Sequence, residues 1–404
     1  MKVSDIVTKE LQNKNRIIIN QNVFEDNDFI PDEILHRDEQ IRNLVQILKD
    51  AERGDKPNNI FIYGKTGTGK TLCTKSVVTE IKKFNNQIHT IYCNMNGIKT
   101  IFSLIQKLAN SLSGDKVKGR GTSLARAYEI MWSNLNILDG ILILILDEID
   151  YLDTSEFLYS ILRFQKENLN NLKISIIGIS NSITFTQRLD PRVLSSLGEE
   201  NIVFPIYHLE EISDIIQKRA ELGFKNGVNC LDQSVIPLCS AIAIQQSGDA
   251  RLAIQLLKTA ALIAERDALE FISEKHVYEA RVKIERDHVV ELILDLPMQS
   301  KIVIMSIIFL KNKGNNIPST TEIYKKYSDL ARLVDIDILT HRRISDIMSE
   351  MDMMDIVNVE LCYKGRHGRS NKYRLLIDEN TILKKLHEDY RFEEIIDNNR
   401  KNRY

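Results

Sequence analysis

Residues 61–72 read FIYGKTGTGKTL, and no other stretch limits the fold as much. A short apolar run, Phe61 to Tyr63, leads into Gly64-Lys65-Thr66-Gly67-Thr68-Gly69-Lys70-Thr71, and a helical pattern begins at Leu72. This is the spacing G-x-x-x-x-G-K-[ST] of a phosphate-binding loop between a buried strand and a helix. The glycines let the backbone curl into a nest with its N–H groups turned inward, where a Cβ would keep phosphate away. Lys70 supplies a point charge for the β and γ oxygens and Thr71 a hydroxyl for Mg²⁺. The helix behind them presents its positive N-terminal end.

A second strand signal completes such a site. The aliphatic run from Gly140 ends in Asp147-Glu148-Ile149-Asp150, the pattern of a central parallel strand covered by helices on both faces. Open α/β sheets bind ligands at strand C-termini, so Asp147 is placed to hold Mg²⁺ through water and Glu148 to polarise an attacking water. Between Thr71 and Asp147 there is room for an extra strand, His89 to Asn94, and no guanine-reading N-K-x-D follows. A small GTPase is thereby disfavoured. The run Ile174 to Ser180 ends at Asn181, which can sense a γ-phosphate and position water. Arg192, in the loop 189–198, can complete a neighbour's site as arginine fingers do. Residues 209–287 are helical throughout and read as a lid. Within it Gly248-Asp249-Ala250-Arg251 opens a helix, and a cation in a first turn is best compensated by an anion such as phosphate.

With 404 residues, 43% of them apolar, the chain can bury two or three separate cores. A net charge of −2 gives no global attraction to nucleic acid or anionic membrane, so either partner must meet a local basic patch. Five scattered cysteines without a C-x-x-C pair argue against a disulfide framework and a zinc site. The longest aliphatic run, Ile141 to Leu146, is too short to span a bilayer, and a soluble, cytoplasmic protein with no membrane partner is expected.

The local patch lies in the last hundred residues. Helical patterns at 299–310, 319–334 and 340–353, the second opened by a capping box, are followed by strand candidates 356–363 and 372–376. Three helices with a β-hairpin form a winged helix, a helix-turn-helix variant. Its hairpin tip carries Lys364, Arg366, Arg369, Lys372 and Arg374, and its third helix opens with His341, Arg342 and Arg343. A basic wing and a basic recognition helix suit double-stranded DNA.

Taken together, these motifs resemble the archaeal replication initiators of the origin-recognition and cell-division-control type, which are AAA+ ATPases; the resemblance runs from about Phe29 to Leu376. It implies an α/β AAA+ P-loop sheet over 29–208, a helical lid over 209–290 and a winged-helix domain over 291–390; outside it, polar composition reads as a loosely ordered arm at 1–28 and a frayed tail at 391–404. It also implies ATP and ADP as ligands, slow switch-like hydrolysis, origin DNA, and the replicative helicase and related initiator subunits as partners. By the same likeness Pro31, His36 and Arg37 would lie against adenine, Asn181 would be the first sensor, Arg192 the finger and Arg251 the second sensor. A DNA-contacting helix inserted at 112–124 would use Lys116, Lys118 and Arg120. Two other readings suit the same modules: a nucleotide-sensing transcriptional regulator, and an AAA+ adaptor of mobile elements that coats DNA.

Overall fold

The computed structural model describes residues 16–25, 29–119, 121–151, 155–168, 171–182, 199–246, 248–312, 314–315, 317–354, 356–363, 369–376 and 379–401. They form two compact units, 1–280 and 281–404.

In the first unit, α1 (Asp38–Leu48) precedes β1 (Asn59–Tyr63), the phosphate loop and α2 (Lys70–Lys82). Then come β2 (Ile88–Asn94), α3 (Ile101–Ser111), α4 (Leu124–Asn136), β3 (Gly140–Asp147), α5 (Ser155–Asn168), β4 (Leu172–Ser180) and β5 (Glu199–Val203). The strands order as β2-β3-β4-β1-β5 and every pairing is parallel. Side chains alternate across a sheet, so an uninterrupted run can serve two cores at once. Leu142, Leu144 and Leu146 face one core with α3 and α4. Ile141, Ile143 and Ile145 face another with Leu44 of α1 and Val77 and Ile81 of α2. Register sets Asn94 beside Asp147, and β3 beside β4, so the acidic strand end and Asn181 open onto one edge. The lid follows as α6 (Leu209–Gly223), α7 (Val235–Gln246) and α8 (Ala250–Arg266). The helix α9 (Glu274–Asp295) contains the division between the units.

The second unit contains α10 (Met298–Asn312), α11 (Thr320–Leu333), α12 (His341–Met353), the antiparallel pair β6 (Val357–Tyr363) and β7 (Arg369–Leu375), α13 (Glu379–Leu386) and α14 (Tyr390–Lys401). The expected capping box is present: Ser319 N–H and Oγ both donate to Glu322 Oε2 at 2.7 Å. Ser319 also bridges Lys372, giving the wing a third short strand contact.

Two expectations about the ends of the chain are overturned. The tail is not frayed over 391–401: α14 buries Phe392, Ile395 and Ile396 in the same core as Ile344 and Met348, because three apolar side chains at helical spacing outweigh its polar composition. The arm is not loose over 16–25 either. Ile17, Val23 and Phe24 are buried, and Ile18 bridges Phe224 after α6.

Candidate functional site

The phosphate loop is held open from behind by α2 and β1. Lys70 Nζ donates to Gly64 O and Lys65 O, each at 2.7 Å, and to Asn181 Oδ1 at 3.0 Å. Thr68 Oγ1 donates to Lys65 O at 2.8 Å, so the loop is shaped by its own side chains. Burial lowers the Lys70 ammonium to about 8; Arg251 adds to that and Asp147 opposes it. Such a cation gains from an incoming phosphate, which would return its charge partner.

At the adjoining strand ends, Thr71 Oγ1 donates to Asp147 Oδ2 at 2.8 Å and Tyr92 OH donates to the same oxygen at 2.7 Å. Asp147 Oδ1 accepts from Glu148 N at 3.0 Å. Glu148 has a left-handed backbone, φ 55°, a strained state for a residue with a side chain and one often found at functional sites. Its carboxyl is pushed up, first by burial and then by Asp147, and its Oε2 is buried without a hydrogen-bond partner among the described residues. A raised carboxylate is a better proton acceptor for water.

The sequence residues Thr66, Gly67, Thr68, Gly69, Lys70, Thr71, Asp147, Glu148, Asn181 and Arg251 therefore meet around one small cavity. A larger cavity of about 360 Å³ adjoins it and shares Gly67, Gly69, Thr71, Asp147, Glu148 and Arg251. It continues along Leu72, Pro31 and the apolar side chains Phe29, Ile34, Ile215 and Ile254, giving a polar phosphate end and an apolar base end. MgATP fits this donor set. The loop is a cradle that a side chain would fill, an orphaned carboxylate oxygen faces it, and Thr71 already touches Asp147. Among the described residues no cluster of three or more His, Cys, Asp and Glu side chains forms a metal site without a ligand's help.

Gly67 shows how tight the cradle is. Its φ is +73°, and a Cβ there would fall 1.7 Å from Oδ1 of Asp249, the residue that caps α8 by accepting from Arg251 N at 2.8 Å. Gly67→Ala is expected to weaken ADP and ATP binding roughly 100-fold through strain and collision. Titration calorimetry checks this, and unchanged affinity would remove the loop from the site.

Several expected residues are placed elsewhere. His36 and Arg37 do not line the cavity. His36 Nε2 meets Asp214 Oδ2 of α6 at 2.9 Å. Arg37, 2% exposed, donates to Thr68 O, His36 O and Pro205 O, with its guanidinium 3.6 Å from the centre of the Tyr207 ring. An always-charged fork of five donors is well matched to three converging carbonyls, so it serves the loop's position, while Pro31 lines the larger cavity. The inserted helix is likewise not found among the described residues of 112–124, apart from Leu124, which begins α4. Lys116 Nζ caps α3 by donating to Asn110 O and Leu112 O, both at 2.9 Å, and Val117 is buried. Lys118 is exposed. Arg120, Arg192, Lys364 and Arg366 lie outside the described residues.

In the second unit His341, Arg342 and Arg343 open α12, exposed, behind the Thr340 cap. Arg343 pairs with Glu350 at 3.3 Å, and the His341 ring lies 5.1 Å from that of Tyr324. Arg369 begins β7 and Lys372 lies within it, while Arg374 pairs across the hairpin with Glu360 at 2.8 Å.

Sequence reasoning missed Tyr92, Lys75 and Asp249. Lys75 Nζ lies 3.9 Å from the centre of the Tyr92 ring that buttresses Asp147. Tyr92 could have been found only from its place two residues before the C-terminal end of a strand neighbouring β3.

A parallel sheet with the phosphate loop before α2, an acidic pair ending its central strand and an arginine-bearing helical lid defines an AAA+ P-loop ATPase-type protein. Here it is joined to a winged helix. The family models agree: an AAA domain matches 53–184, the Cdc6 AAA+ ATPase-type lid domain 213–282, and the CDC6 C-terminal winged helix domain 291–385. The chain is 42% identical over 365 residues to the ORC1-type DNA replication protein 1 of Sulfurisphaera tokodaii, covering 89% of this chain and 91% of that one. It is 39% identical over 402 residues to the ORC1-type DNA replication protein of Pyrococcus furiosus, covering 97% and 95%. The solved structure of the Aeropyrum pernix ORC1 protein in complex with DNA is similar at TM-score 0.76 and 37% identity, covering 94% of this chain and 99% of that one. The chain belongs to the ORC1-type DNA replication proteins, whose matched relatives here are archaeal. No described helix is long and apolar enough to cross a membrane.

Proposed function

We infer that this chain is an ATP-dependent replication initiator that binds origin duplex DNA and helps recruit the replicative helicase, with nucleotide acting as a switch. The observation that carries the reading is the meeting of Lys70 with Asn181 and of Thr71 with Asp147, in a chain 37% identical to an ORC1 protein in complex with DNA. We divide the chain for this purpose into a base domain at 29–208, a lid at 209–290 and a DNA-reading domain at 291–390.

In this reading Gly64, Lys65, Thr66, Gly67, Thr68 and Gly69 shape the nest, and Lys70 and Arg251 hold phosphate oxygens. Thr71 and Asp147 would hold Mg²⁺, which when bound would supply charge neutralisation at the γ-phosphate. Glu148 accepts a proton from the attacking water, which Asn181 helps to place. Arg192 reaches from one subunit toward another's nucleotide. Hydrolysis is slow and exchanges an ATP form for an ADP form with different affinity for partners. Exposed Arg342 and half-buried Lys372, with Arg366 and Arg369 of the wing, meet DNA phosphates. Replacing any one of them by alanine is expected to reduce the salt slope of duplex binding by about one unit. Binding isotherms between low and moderate salt check this, and an unchanged slope excludes that residue.

The deciding experiment is a genome-wide footprint with and without ATP. Sites clustered at origins support the initiator; promoters without origins would instead make the protein a transcriptional regulator.

A further inference from the structure

The segment Ile17–Glu25 precedes every motif of the nucleotide site, yet it is fastened to the lid by an unusual number of groups. One carboxylate oxygen, Glu265 Oε1 in the last turn of α8, accepts from Ile17 N at 2.6 Å and from Ile18 N at 2.8 Å. Lys225 N donates to Ile17 O at 2.8 Å, Ile19 N to Gly223 O at 2.9 Å, and Arg219 of α6 to Val23 O at 2.8 Å. Phe24 stacks on Phe224 with ring centres 4.9 Å apart. Position 223 has to be glycine for this, since a Cβ there would fall 2.2 Å from the Phe24 ring. Glu25 completes the fastening through Lys258 of α8 at 3.7 Å.

Having bound the lid, the segment turns into the large cavity. Val23 and Glu25 line it together with Phe29 and Pro31. Arg219 joins Val23 to Phe29, because the guanidinium that holds Val23 O also lies 4.5 Å from the centre of the Phe29 ring.

We propose that Ile17–Glu25 is a working wall of the nucleotide cavity, held there by Glu265, and that a bound adenine nucleotide leaves only when this segment releases the lid. The proposal rests on the reading of the cavity as a nucleotide site. The physical reason is linkage: a wall that touches the ligand and is itself docked reversibly makes docking and binding favour each other by the same factor. Such coupling is felt mainly in the rate of departure. Glu265 is a positioning residue here. It lies on the lid and reaches the cavity only through the backbone it holds.

The test is release of a fluorescent ADP from the full-length chain by stopped flow, combined with amide exchange at Ile17 and Ile18. Glu265→Ala and Phe24→Ala are expected to speed release roughly tenfold. Glu265→Gln keeps the accepting oxygen and should stay near the parent rate. In the unaltered chain, ADP should slow exchange of both amides, a measurement that needs no variant to fold. Release at the parent rate in both alanine variants, or exchange indifferent to ADP, would overturn the proposal. A segment that only stabilises the lid would lower the melting temperature of the variants while leaving release unchanged. If the parent chain binds neither ADP nor ATP, the nucleotide reading falls, and the proposal with it.

Discussion

Glu148→Gln is expected to keep ATP bound while turnover falls by roughly 10²–10⁴-fold, the range lost when a positioned general base is removed. The substitution is nearly isosteric, so the left-handed turn at φ 55° and the Glu148 N to Asp147 Oδ1 bond at 3.0 Å should persist. What disappears is the proposed proton acceptor. Its basicity comes first from burial and then from the neighbouring Asp147 carboxylate, with Asp150 adding to them and Arg251 working in the opposite direction. Single-turnover hydrolysis, measured beside equilibrium ATP binding, separates these effects. Hydrolysis at the parent rate would assign proton abstraction to another group. Loss of binding would show that the side chain mainly shapes the site.

Arg37→Ala is expected to destabilise the nucleotide-binding unit by about 3–5 kcal/mol, the order expected when several buried acceptors lose their donor at roughly 1–3 kcal/mol each. Three carbonyls, at Thr68, His36 and Pro205, would lose their donor together, and the faces of Tyr207 and Phe204 would lose the guanidinium lying 3.6 and 5.9 Å from their centres. For a unit of this size that corresponds to a fall in melting temperature of roughly 10 °C. Arg37→Lys should not rescue it, because a single ammonium cannot reach three separate acceptors as a planar fork does. Thermal unfolding checks this directly. A variant melting with the parent protein but binding adenine poorly would return Arg37 to the wall of the base pocket.

The two variants mark where the sequence was legible and where it was not. Glu148 was found because local pattern dictates its place: an aliphatic run that feeds two cores must be a central parallel strand, and its end must open onto the phosphate loop. Arg37 was expected against adenine because the family likeness placed it there, and no local pattern around a helix start reveals what such a side chain contacts. What buries it is a convergence of residues 31 and 168 positions away. The inserted segment failed for a related reason, since Asn134 donates to Ala109 O and Asp115 O and so helps pin 112–119 as a packed loop.

The phosphate loop, the acidic strand end, the strand that ends at Asn181 and the winged helix were determined by the sequence alone, because each depends on residues close together whose spacing leaves the backbone few choices. Only the tertiary structure decided that Arg37 serves the loop, that Tyr92 supports Asp147, that α14 belongs to a core and that the arm walls the cavity. Those outcomes depend on which distant groups arrive to share one buried volume, and no short-range pattern encodes that.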